Sequence, residues 1–306
     1  MENELKLGPE FIWKNFHLGS ELEIAGNFIY DGLYNFDKMK HFYYETDIFS
    51  CLYHLSVGIE RIQKITLILL TNFDDQVNID FEKSLMSHST QRFHDLINSK
   101  LKKKIRLNKN QNKFLTLLTN FYDKNRYGRF NLKSSASSSH EKELFVNFLN
   151  DLVVEEEICA DFTNSTSNND NLKTSFGSNL KGIIIPYYKI IESICRQNNF
   201  YTYEMNQDSK AFQILVCENF NFLHVNHLKL EIIYFFLNNG NELLKNNKMV
   251  ATDFDPDTIL ELIKFLTNQC ENTYITDTYK CIIADQISNS ESLTDRKLYL
   301  NMLFGN

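Results

Sequence analysis

Glycine and proline are scarce in this chain of 306 residues, with ten of the one and three of the other. Few positions are therefore free for left-handed turns and few helices are broken from within, so long helices are favoured. The six cysteines (Cys51, Cys159, Cys195, Cys217, Cys270 and Cys281) are scattered and form no Cys-x-x-Cys pair. That spacing argues against a structural zinc site and supplies no disulfide framework, so no metal is expected and a reduced, cytoplasmic setting is the simplest reading. Long apolar runs are missing too. Residues 182–188 and 232–237 fall far short of the roughly 20 residues that span a bilayer, so no membrane role is expected. The first fourteen residues mix Glu, Lys and Asn and do not read as a signal peptide. Phosphate-cradling glycine motifs and a Gly-x-Ser-x-Gly elbow are absent, and no cofactor is implied. The alternation of half-buried strands is nearly absent as well, so the expected fold is all-α.

What is present is charge in the wrong place. The chain as a whole carries 32 basic and 39 acidic residues, a net charge of −7. Residues 92–133 reverse that balance: twelve Lys/Arg (Arg92, Lys100, Lys102, Lys103, Lys104, Arg106, Lys109, Lys113, Lys124, Arg126, Arg129 and Lys133) face two acids, Asp95 and Asp123. A basic segment in an acidic chain points to an anionic ligand or to an acidic partner surface. Phe121, Tyr122, Tyr127 and Phe130 lie among the arginines. Aromatic rings beside arginine suit single-stranded RNA, although ordinary rim packing uses the same residues.

The apolar pattern predicts a long amphipathic helix over residues 40–73, with Glu60 and Lys64 as an i,i+4 pair. Helices are also expected over 90–105 and from an Asn108 cap to about 125. The serine-rich stretch 134–139 reads as the internal boundary, giving a bundle at 1–135 and a C-terminal helical region at 140–306 of unassigned role. Within the latter, helices are expected at 140–158 and 180–197, the second interrupted or bent at Pro186. Residues 164–171 read as a mobile polar loop and 200–203 as a short extended piece. Asp208 or Ser209 should cap a segment at 210–217. Further helices are expected near 226–237, from Asp255-Pro256 into 259–270, and at 292–303. Asp253, Asp255 and Asp257 alternate as calcium ligands do, but helix capping explains them; His224 and His227 lack companion ligands.

Three short motifs stand in a telling order: the Glu60–Lys64 pair, His94-Asp95-Leu96 at the head of a helix, and Tyr122-Asp123-Lys124-Asn125-Arg126-Tyr127 near the end of the next. In that order residues 40–131 resemble a HEPN domain, the small helical bundle of toxin–antitoxin, abortive-infection and CRISPR-associated proteins. The resemblance covers under a third of the chain. It implies an RNA-binding or RNA-cleaving protein of a bacterial defence system, acting as a homodimer because HEPN-type sites form across one. Active members cleave RNA without a metal, using an Arg followed four to six residues later by His. Here Arg92 and His94 are too close for that spacing, and Arg129 and His140 too far apart. A substitute site is expected instead, with His94 as acid/base and Arg126 and Arg129 holding phosphate, His88 nearby, and Arg92, Lys102, Lys103, Lys104, Arg106 and Tyr127 contacting RNA. The plainer reading has His94 capping its helix and Arg126 paired with an acid such as Glu60. The alternative function is a non-catalytic module whose basic stretch docks an acidic protein or a nucleotide, including as partner to a separate nucleotidyltransferase.

Overall fold

The structure is a computed structural model that describes residues 8–71, 79–122, 140–153 and 157–223, with six further residues (226, 257, 259, 260, 263 and 264). Among the described residues the regular structure is helical. None of those residues forms a strand, and two isolated bridges, His41 to Ser167 and Ala160 to Ser165, are their nearest approach to a sheet. The helices are α1 (Pro9–Ile12), a π-turn (Trp13–His17), α2 (Leu18–Lys38), α3 (Glu45–Leu69), α4 (Ile79–Leu85), α5 (Thr90–Lys100), α6 (Lys109–Asn120), α7 (His140–Leu152), α8 (Asp170–Asn198) and α9 (Lys210–Leu215).

The starts of these helices are written locally. Ser89, Asn108, Asn169 and Ser209 each accept the backbone N–H three residues on, the bond that relieves an orphan donor of the first turn. At Asn108 the arrangement is reciprocal, because Gln111 accepts the Asn108 N–H. The end of α8 falls at Asn199, whose φ of 55° is the left-handed conformation asparagine tolerates. The α8 helix continues through Pro186, although that residue offers no N–H to the carbonyl of Gly182.

The core is organised on α3. Ile48, Leu52, Leu55, Ile59, Ile62, Ile65 and Leu67 are all buried, and so are Gln63, Thr66 and Glu60 on its other sides. The sequence pattern suggests one apolar stripe, whereas a helix buried on nearly every side needs neighbours all round. On one side α2 packs so closely that a Cβ at Gly58 would sit 2.7 Å from Ile29 Cγ1 and 3.0 Å from the Ala25 carbonyl. Replacing Gly58 with alanine should therefore lower stability by about 1–3 kcal/mol, measured by urea denaturation. The other sides of α3 are covered by α5, α7 and α8. An aromatic stack of Phe36 on Phe176, with ring centroids 3.9 Å apart, ties α2 to α8. Phe145 of α7 packs edge-on against both Phe36 and Phe176.

This arrangement places the division of the chain elsewhere than the serine-rich stretch. One compact unit runs Met1–Phe222 and a second Leu223–Asn306. Helices from both sides of 134–139 share one core, because α3 leaves faces that only α7 and α8 cover. Of the second unit only Leu223, Asn226, Asp257, Ile259, Leu260, Ile263 and Lys264 are described, each helical. The helices expected at 226–237, 259–270 and 292–303 otherwise lie outside the described residues, as do the serine-rich stretch and residues 123–133.

Several local expectations change. The helix expected to reach 105 ends at Lys100, and the one expected to reach 158 ends at Leu152. In each case an asparagine takes over the backbone of the segment that follows. Asn98 holds Ile105 through both its N–H and its carbonyl, and Asn150 holds Ile158 in the same way. The polar loop expected at 164–171 ends at the Asn169 cap, since α8 starts at Asp170 rather than at 180, and it is likewise fastened: Asn168 donates to the Phe36 carbonyl at 2.7 Å and Thr166 accepts the Cys159 N–H at 2.9 Å. Residues 200–203 form a turn rather than an extended piece, with Thr202 buried and its hydroxyl donating to the Lys14 carbonyl.

Candidate functional site

Residues 100–109 hold Lys100, Lys102, Lys103, Lys104, Arg106 and Lys109, all exposed. None of the six forms an ion pair with an acid among the described residues. Lys113, one turn further on, is instead paired with Asp151 at 2.5 Å. The six are carried on a segment of set conformation. Leu101, Ile105 and Leu107 point their side chains back to the core, Asn98 clamps Ile105, and the Asn108 capping box fixes the exit. Alternation of inward apolar and outward basic residues thus turns a helix-to-helix connection into a cationic ridge. Cations carried on a fixed backbone, with no acidic partner among the described residues, pay less rearrangement on meeting an anion than the flexible solvated run that three lysines alone suggest.

His94, expected to be the acid/base, is on the inside. Its residue is 5% exposed. The assignment of its protons follows from the backbone. The Ile105 N–H donates to Asn98 Oδ1 at 2.8 Å, and the Ile105 carbonyl accepts from Asn98 Nδ2 at 3.2 Å, so the amide can face only one way. Nδ2 then donates to His94 Nε2 at 3.0 Å. His94 therefore carries its proton on Nδ1, which donates to the Tyr187 hydroxyl at 2.8 Å. That hydroxyl also accepts from Gln63 Nε2 at 3.0 Å, and the same nitrogen donates to the Thr90 carbonyl. The network links α3, α5, α8 and the basic segment, and both imidazole nitrogens are used inside the protein. Ser89, not His94, caps α5.

Burial lowers the pKa of His94 below its ordinary value, against a smaller opposing effect of Asp95. Burial also raises that of Tyr187, only partly offset by the bond from Gln63. The unfolded chain consequently takes up the His94 proton first. Stability should be full above about pH 6.5 and decline as the pH falls from there towards the folded pKa. Urea unfolding across that range checks this, and His94→Gln should flatten the decline.

The exposed histidine of the region is His88, just before the α5 cap, with its side chain 46% exposed. Its Nδ1 lies 3.1 and 3.3 Å from the two oxygens of Glu60, whose side chain is 9% exposed. Lys64 pairs with the same carboxylate at 2.5 Å and lies over the Phe93 ring. A carboxylate that accepts from Nδ1–H fixes the ring's aim and, in the neutral imidazole, leaves Nε2 as the nitrogen with a lone pair. Tyr122 packs against the imidazole at 4.3 Å between centroids, the two rings tilted by 33°. Glu60, His88 and Lys64 thus form an oriented acid/base group. No group of three or more His, Cys, Asp or Glu among the described residues could hold a metal ion.

Of the residues expected in the site, Lys102, Lys103, Lys104 and Arg106 stand together on the ridge. Arg92 is exposed on the first turn of α5. Arg126, Tyr127 and Arg129 lie outside the described residues, so the expected convergence of His94 with the two arginines is not on view; His94 itself is enclosed. The Glu60–Lys64 pair is as expected, but the third member is His88. The Glu60–His88, Asn98–Ile105 and His94–Tyr187 pairings have no signal in local spacing. The last joins residues 93 apart, across the boundary that the serines suggest.

No family model, no curated protein and no solved structure matches this chain. No helix among the described residues is long and apolar enough to cross a membrane.

Proposed function

We propose that this protein binds RNA through the cationic ridge of residues 100–109, in keeping with the HEPN-like order of its motifs. The observation that carries this reading is the set of six exposed cations without an acidic partner among the described residues, held on a connection that the fold has fastened at both ends. The phosphate backbone is the ligand for which such a row is suited, because each cation can displace a condensed counterion. The α5 helix joins the ridge to His88 over eleven residues, about 16 Å of helical rise. Arg92 lies exposed along that path, and Asp95 is its single acid. A bacterial defence or toxin–antitoxin setting and a homodimer belong to the same reading. Purified protein should retard a labelled single-stranded RNA at low salt. Co-purification of a stoichiometric acidic protein, with no RNA retardation, would favour the interaction-module reading and overturn this one.

A second reading, metal-independent cleavage, is favoured by the His88–Glu60 pair. His88 Nε2 would take the proton of a 2′-hydroxyl. The bond from O2′ to phosphorus forms as the bond to O5′ breaks, and the proton is returned to O5′. No water or cofactor enters the balance. His88, rather than His94, is the residue whose free nitrogen can reach a substrate.

A further inference from the structure

The basic ridge is tied to the buried network at one atom. Asn98 Nδ2 has two hydrogens: one goes to the Ile105 carbonyl and the other to His94 Nε2. Its Oδ1 is taken by the Ile105 N–H. Asn98 therefore has no freedom to turn over, since a reversed amide would set its N–H against the Ile105 N–H. A proton on His94 Nε2 creates the same conflict from the other side, placing N–H against N–H. The conflict is relieved only if Asn98 leaves His94 or releases Ile105.

We propose that Asn98 is a latch holding the cationic ridge in its binding shape, and that the protonation state of His94 sets it. With His94 neutral the latch is closed. With His94 protonated, Asn98 turns its oxygen to the new Nε2–H, which sets its own N–H against the Ile105 N–H; Ile105 is released and residues 101–107 lose the fixed backbone that presents Lys102, Lys103, Lys104 and Arg106. The significance for ligand binding rests on the RNA-binding reading, whereas the latch itself does not. His94 and Asn98 act here as positioning residues and touch no ligand.

The groups that face His94 bear this out. On its own helix Asp95, exposed, favours the proton; from α8 Tyr187 presents a hydroxyl; from α3 come Gln63 and, over the neighbouring Phe93 ring, the ammonium of Lys64. On the α6 side Thr90 bonds to the Leu115 carbonyl and to Thr119, polar but uncharged groups. No carboxylate among the described residues is hydrogen-bonded to the ring, so burial prevails and the neutral, latched form is the resting one at neutral pH.

The test reads the loop directly and needs no RNA. Hydrogen exchange at the Ile105 amide is measured from neutral pH into the acid range and divided by the intrinsic rate at each pH. In the wild type, protection at Ile105 should fall as His94 takes up its proton, ahead of amides in the middle of α3. His94→Gln, whose side-chain oxygen can accept from Asn98, should hold protection level over the same range. Asn98→Ala should lower it about tenfold at neutral pH, the loss of one hydrogen bond. If protection at Ile105 runs in parallel in the wild type and His94→Gln, or is unchanged in Asn98→Ala, the latch is wrong. Should the exchange behave as expected while no RNA binds at any pH, the latch stands and the RNA-binding reading fails alone.

Discussion

Replacing Lys102, Lys103, Lys104 and Arg106 together by glutamine should weaken single-stranded RNA binding by more than any other surface change in the described part of the chain. These four side chains are exposed, close together and without an acid partner among the described residues. Their removal therefore breaks no ion pair among the described residues and should leave the fold intact, which thermal unfolding of the variant should confirm. What it removes is most of the counterion release. With six cations engaged, raising the salt fourfold should cost the wild type about 300-fold in affinity; with two left, the same change should cost the variant only about sevenfold. Lys113→Gln serves as a control of the opposite kind. That ammonium is paired with Asp151, so its loss should change affinity little.

The second large effect is chemical. If RNA is cleaved, His88→Ala should lower the metal-free rate by about 10²–10⁴-fold, the usual worth of a positioned acid/base group. RNA affinity should stay as it was, because His88 lies at the end of α5 away from the ridge. Phosphate at the new end should be a 2′,3′-cyclic ester, and a substrate with a single 2′-deoxy sugar should resist cleavage there. His94→Gln is the informative comparison. Were His94 the acid/base, this variant would be as inactive as His88→Ala; buried and bonded at both nitrogens, it should instead retain the wild-type rate at neutral pH.

The helical class, the long α3, the Asn108 and Ser209 caps and the ridge were all legible because each is a local matter. A cap is a side chain bonding three residues on, and a charge excess is visible wherever it stands. The path of the chain after α5 and α7 was not legible, since an asparagine reaching seven or eight residues ahead looks like any other polar residue. The boundary at the serines misled for a related reason. Serine-rich composition reports what a segment can do, whereas unity of a core depends on which faces of α3 remain to be covered. The enclosure of His94 was not legible because that residue stands between the exposed Arg92 and Asp95 in the sequence. Its actual partner, Tyr187, sits in an apolar stretch of α8 that gave no hint of a hydroxyl aimed at α5. In the same way Glu60 and His88, 28 residues apart, meet only because α3 and α5 pack together.

The claim that the ridge is a phosphate-binding surface is tested most directly by the salt dependence of single-stranded RNA binding to the unaltered protein. Six cations at about 0.7 counterions each predict that log affinity falls against log salt with a slope near −4, whatever the RNA sequence. A slope near zero, or no binding at low salt, would contradict it.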